Sequence, residues 1–502
     1  MDFLTQNILT LILFLPSAAA LIILFLPREN IRAIRWFALI SSLIPLGLTI
    51  WMWARFAPDQ AGFQFQVNLP WFEAIHSRYH LGVDGISLTM VLLTTLLTPL
   101  ALLASFSIQD RVKPYMMLFL LLETGMLGVF VALDLMLFFL FWEIGLVPMY
   151  FLINQWGGEN RNYASLKFIL YTMAGSLGLL LSIQLIGVVC GTFDLMEVFE
   201  RWQQVSGTLI GLPVATIKAV IFWAFVIAFA IKVPVWPFHT WLPDAHTEAP
   251  TPGSMILAGV MLKLGAYGFI RLVLPLFPTE ARHFAGGLAF LAVMAIIFGA
   301  FGAYGQDDFK KLVAYSSINH MGFVVLGIAA AAVAAGTDHA QIAMDGAVLQ
   351  MFNHGLSAAG MFFLVGVIYE RAHTRKLSEF GGLFPLMPVF GGLLIFVSMA
   401  SLGLPGLNGF VSEFMVVRGS LPVLPLATAL SMIGLLFTGI YILKGIKLVL
   451  HGPLNEKWVG HLTDINTREI IVLVPLVILI AITGVYPAWI VELINKAVTM
   501  LF

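Results

Sequence analysis

Cysteine and charge are what this 502-residue sequence has least of. A single cysteine, Cys190, excludes an internal disulfide, a thiolate zinc site, an iron–sulfur cluster or a CxxC redox pair supplied by this chain alone. Charged residues make up 11% of the chain, less than half of the roughly one quarter that coats a soluble domain. The 26 basic and 27 acidic residues nearly cancel, which removes the basic excess of a nucleic-acid binder and the acidic excess of a disordered tail. No stretch is long and polar enough to form a separate soluble domain, so residues 1–502 read as one transmembrane unit.

What is present is apolar: 60% of residues are hydrophobic, and the mean hydropathy is +0.95. A membrane span needs about 20 mostly apolar residues. The sequence offers fourteen such stretches, at 4–26, 34–54, 81–106, 113–133, 135–154, 163–190, 214–241, 252–277, 283–304, 311–335, 341–369, 385–418, 423–447 and 470–495. The expected fold is therefore an all-α, multi-pass membrane protein of about 14 transmembrane helices. The N-terminal apolar run lacks the basic flank of a secretory signal and is longer than a signal core, so it reads as the first span. Between spans six and seven, DLMEVFERWQQV has the pattern of an amphipathic helix lying along a surface.

Lysine and arginine are unevenly shared between alternate loops. Sixteen fall on the side that holds Arg28, Lys113, Lys311 and Arg371, seven fall on the other side or its span ends, and Lys218, Lys232 and Lys263 lie inside spans. The positive-inside rule then places both termini on the non-cytoplasmic side.

Spans seven and twelve are abnormal in the same way. The seventh is about 42 Å long as an ideal helix and is interrupted by Pro234 and Pro237; the longer twelfth is interrupted by SLGLPGLNGF, with Pro405. One proline kink is ordinary in a membrane helix. Two broken helices at corresponding places point to inverted repeats around a midplane ion path. Spans four to eight (113–277) and nine to thirteen (283–447) are the two expected five-helix repeats, each with its fourth helix broken.

Seven titratable residues sit deep in these spans: Glu123, Glu143, Lys232, Lys263, His320, His354 and Glu413. Counted from the nearest polar boundary, Glu123, Glu143 and Lys263 lie about 13 to 17 Å down, near the midplane. Each ionised group at that depth costs at least ~2.5 kcal/mol against lipid, so the five charged residues would cost ~12 kcal/mol, comparable with the whole stability of a protein. They must face the bundle interior, pair or meet water. Buried ion pairs that fix helix register are one use. A set strung across seven helices fits a proton relay, in which desolvation and a movable partner charge load and unload a lysine while glutamates and imidazoles carry protons onward. Lys218, near a span end, reads as snorkelling to the interface. His239, Asp244, His246 and Glu248 lack a recognised metal-ligand spacing.

The segments HLGVDGIS (80–87), LFFLFWEIGLVPMY (137–150), FAIKVPVWPFHTWLPDAHTEAPTPGSMILAGVMLKLGAYG (229–268), KLVAYSSINHMGF (311–323) and LGLPGLNGFVSEF (402–414) resemble the antiporter-like membrane subunits of proton-pumping NADH:quinone oxidoreductase, respiratory complex I. The resemblance implies a Glu143–Lys232 charge pair, Lys263 as central relay, Glu413 as terminal proton site facing the outside, His320 and His354 on the connecting hydrated axis, and Glu123 as a further acid. Glu413 stands where chains L and N and the sodium/proton antiporter subunits usually carry lysine, and no long lateral helix follows span fourteen. The resemblance further implies a translocase subunit without redox chemistry of its own. NADH, FMN, iron–sulfur clusters and quinone would be held by partner subunits, the partners would include the antiporter-like chains L and N, and the location would be a bacterial inner membrane. Two other readings remain open at this point, a subunit of a multisubunit sodium/proton antiporter and a structural arm that transmits motion without carrying protons.

Overall fold

The computed structural model describes residues 3–501. All fourteen expected spans are helical, and thirteen are single runs long and apolar enough to cross a membrane. The remaining one, the twelfth, is two shorter helices, Pro388–Leu402 and Asn408–Ser420, separated by the proline and glycines of the interruption. The seventh is likewise divided: Val214–Lys232 ends one residue after Ile231, a turn segment carries both prolines, and Trp241–Glu248 resumes as a short helix. Pro234 and Pro237 lack the amide hydrogens that a continuing helix would use, so the break is written into the chain chemistry. The chain is a multi-pass membrane protein.

Three features depart from the expected layout. The protein is not purely helical, because Gln64–Phe72 (β1) pairs antiparallel with Ser77–Val83 (β2). The second strand takes the first residues assigned to span three, whose helix starts only at Gly85, where the Asp84 side chain accepts from the Ser87 amide at 2.9 Å and acts as N-cap. The fourteenth span stops at Val485, and beyond Pro487 a separate amphipathic helix, Ala488–Thr499, returns along the hairpin end of the bundle, where Lys496 pairs with Asp59 at 2.7 Å. The eighth span, Thr251–Leu276, runs unbroken but contains two π-helical turns, Leu257–Met261 and Phe269–Val273, on either side of Lys263. Such turns gather at functional sites.

The most hydrophobic windows of spans eight and eleven are fully buried and that of span ten is 94% buried, against 33% for spans thirteen and fourteen. Lys263, His320 and His354 therefore sit on the most enclosed helices. At the end opposite the hairpin, cations cap carbonyls that helix ends and loops leave open. Arg35 donates to Ile108, Lys113 to Leu24 and Leu26, Lys310 to Ala249, Arg371 to Thr463, Arg375 to Thr247, and Lys444 to Tyr304 and Gln306. Cations at helix C-termini are favourable, so the same residues that bias topology also tie this face together.

The break in span twelve is held from outside by Gly484, where a Cβ would stand 2.4 Å from both the Gly406 carbonyl oxygen and Leu407 Cα. Gly484→Ala should therefore destabilise the subunit by about 1–3 kcal/mol, the cost of overpacking. A lower thermal midpoint in scanning calorimetry of the purified assembly is the expected reading.

Candidate functional site

Lys263 occupies the helical segment between the two π-helical turns and is fully buried. Its Nζ donates to the Ala258 carbonyl at 2.5 Å and lies 2.8 Å from Nδ1 of His354 on span eleven. The His354 ring faces that of His320 on span ten, with centroids 5.7 Å apart and planes inclined by 42°. His320 Nδ1 in turn lies 2.6 Å from Oε1 of Glu413, on the helix that follows the break in span twelve. Four of the seven expected residues thus form one buried line across spans eight, eleven, ten and twelve.

The line has a supporting frame. Gln350, one turn before His354, donates from Nε2 to Glu413 Oε1 at 2.9 Å and accepts from Ser412 Oγ; Asn353 donates to the Asn408 carbonyl and to Ser412 Oγ. The close approach needs small residues: a Cβ on Gly346 would lie 2.6 Å from the Val416 amide nitrogen. The neutral amide of Gln350 orients the carboxyl group beside His320. Glu413 Oε2 and His320 Nε2 are buried and have no hydrogen-bond partner among the described residues. A cavity of about 10 Å³, lined by both imidazoles with Ser316, Ser317 and Ser401, adjoins them, about the space one water needs.

The other three expected residues stand apart from this line. Lys232 and Glu143 form no ion pair within 4.0 Å among the described residues; the ammonium instead lies 4.7 Å from the ring centroid of Trp142, the residue before Glu143. The indole is fixed there by its hydrogen bond to Ser176 Oγ at 3.0 Å and by edge contact with Phe229. The structure thus shows Lys232 against the Trp142 ring rather than in direct contact with Glu143. Glu123 is completely enclosed and neither carboxyl oxygen has a partner among the described residues.

Sequence reasoning missed Gln350, Ser412, Asn353 and Asn408. The i, i+4 spacing of Gln350 and His354 was the available signal. Among the described residues no three His, Cys, Asp or Glu side chains gather as a metal site, and His246 stacks on Phe362 with ring centroids 4.3 Å apart. On the side away from the hairpin, a cavity of about 460 Å³ lined by Glu248, Asp308, Lys310 and Arg375 opens near the short helix of span seven.

Buried polar groups also tie the hairpin to the helix ends. The Asp134 carboxylate accepts from Ser77, the Arg78 amide and the Met136 and Leu137 amides of the following helix turn. Asp194 lies 2.6 Å from His80 Nδ1. Burial alone would raise the Asp194 carboxyl, and the hydrogen bond and charge of His80 outweigh it, leaving the group below its usual value.

Residues 132–439 match the family described as NADH:quinone oxidoreductase/Mrp antiporter, TM. Similar proteins include NADH-quinone oxidoreductase subunit M of Rhodobacter capsulatus, 40% identical over 99% of this chain and 96% of that protein. NADH-ubiquinone oxidoreductase chain 4 of Marchantia polymorpha is 36% identical over 98% and 96%. Among solved structures, a chain of respiratory complex I from Thermus thermophilus with bound NADH superposes with a TM-score of 0.85 at 26% identity, covering 98% of this chain and 99% of that one. A chain of the Mrp complex from Dietzia gives a TM-score of 0.81 at 25% identity, covering 98% of this chain and 52% of that one. By motif, sequence and fold, this chain belongs to the NADH:quinone oxidoreductase/Mrp antiporter family of membrane subunits.

Proposed function

We propose that the chain is a proton-translocating membrane-arm subunit of an NADH:quinone oxidoreductase. The observation that carries this reading is the buried line Lys263–His354–His320–Glu413, whose members can all gain or lose a proton. His354 Nδ1 accepts a proton from Lys263 Nζ and releases one from its other nitrogen toward the small cavity. His320 takes a proton at its unpartnered Nε2 and gives one from Nδ1 to Glu413 Oε1. Ring tautomers reset the line. In this reading a change in the separation of Lys232 and Glu143, driven from neighbouring subunits, is what sends protons along the line.

NADH, FMN, iron–sulfur clusters and quinone belong in this reading to partner subunits, and electron transfer there drives translocation here. Chains L and N are the proposed neighbours. The two broken-helix sets are read as inverted repeats. The hairpin face is assigned to the outside of a bacterial inner membrane, with both termini on that side and the carbonyl-capping cations in the cytoplasm. Replacing Lys232 or Glu143 by alanine should abolish coupled proton pumping in an assembled complex, read by dye quenching in inverted vesicles; near-normal pumping would overturn the assignment.

The likeness to the Mrp complex supports a second reading, a cation/proton antiporter subunit. Co-purification separates the two: flavin, iron–sulfur proteins and NADH oxidation accompany the first, and none accompanies the second.

A further inference from the structure

Two directions lead out of the membrane centre from Lys263. One is the lateral line to Glu413. The other runs down its own helix toward the hairpin face, where Tyr267 and Arg271 follow at one-turn spacing, with Arg271 about 12 Å along the axis. Both side chains are buried and lie in one hydrogen-bonded cluster. Arg271 donates to the Asp84 carboxylate and, from Nε, to Tyr267 Oη at 3.2 Å; Tyr267 donates to the Phe130 carbonyl at 2.9 Å and meets Ser87 Oγ at 2.9 Å. The guanidinium is also boxed in by the Phe63 ring at 4.8 Å. A cavity of about 10 Å³, lined by Asp84, Leu493, Lys496 and Met500, adjoins Asp84.

We infer that the Arg271–Asp84–Tyr267 cluster is a proton barrier that closes this direct route and so forces protons from Lys263 sideways to Glu413, an inference that rests on the relay reading above.

The reason is hydrogen-bond polarity. A proton wire needs every member to accept as well as donate, and arginine has five donors, no acceptor and a proton it does not release. In this cluster the donors run from Arg271 to Tyr267 and end on a backbone carbonyl, so the wire is oriented against passage and terminates within the protein. A fixed cation in a narrow path is also a known means of excluding protons. The aromatic box and Asp84 hold the guanidinium in place, and Asp84 is itself anchored as the cap of span three. Arg271 and Asp84 therefore act as positioning residues that direct the proton without carrying it.

The test uses the intact complex in liposomes. Arg271→Gln should raise resting proton conductance several-fold and lower the protons pumped per NADH oxidised, with NADH oxidation itself retained. Arg271→Lys keeps a cation beside Asp84 and the fold, but an ammonium can surrender its proton, so it should leak to an intermediate degree. Adding Lys263→Gln to either variant should remove the leak, because the proton enters the route from Lys263; a mere packing defect would leak regardless. Parental conductance in either assembled variant, or a leak that survives Lys263→Gln, overturns the barrier. Failure of the relay reading would show separately, as unimpaired pumping in Lys263→Gln alone.

Discussion

Lys263→Gln is expected to abolish proton translocation through this subunit while the complex still assembles. The lysine is the one member of the buried line that joins the π-helical core of span eight to the two imidazoles. Removing a positioned proton carrier costs about 10²- to 10⁴-fold in proton transfer. Assembly should survive because no carboxylate among the described residues pairs with Lys263, so the substitution leaves no counter-charge stranded in the interior, the circumstance that makes breaking a buried ion pair so costly. Lys263→Arg preserves the charge and should fail as well, since a guanidinium does not release its proton. The measurement is the ratio of vesicle acidification to NADH oxidation at matched complex content; pumping restored by arginine would show that charge alone matters.

Glu413→Gln should be comparably severe, for a different reason. Its carboxylate is the end of the line, held by His320 at 2.6 Å and Gln350 at 2.9 Å. Glutamine keeps an oxygen for both donors, so the frame persists, but it cannot take the proton from His320. Glu413→Ala adds a stability penalty, because two buried donors lose their acceptor at about 1–3 kcal/mol each. Glu413→Asp should restore part of the pumping. Full pumping in the glutamine variant would move the terminal site elsewhere, whereas alanine and glutamine differing in thermal stability but not in pumping would support the division made here.

The spans, the two breaks and the identity of all four line residues were legible in the sequence. Apolar runs of fixed length and prolines without amide hydrogens are local signals, and charge at depth is conspicuous because its cost against lipid is large. The β1–β2 hairpin was not legible, because its second strand runs directly into the apolar residues of span three and hydropathy does not distinguish the two. The π-helical turns around Lys263 were invisible too, since a one-residue bulge in hydrogen bonding alters neither composition nor length.

What the sequence determined by itself is a multi-pass membrane chain whose few interior charges must avoid lipid, and the family to which it belongs. Which charges meet was decided only by the tertiary structure. Spans eight, ten, eleven and twelve cross closely enough, through glycine contacts such as Gly346 against Val416, to join His320 to Glu413 and His354 to Lys263. The same packing placed the Trp142 indole over Lys232, where the expected partner was Glu143. Depth in the membrane follows from counting residues along one helix, whereas a contact depends on the rotation and crossing of two, which no single stretch of sequence encodes.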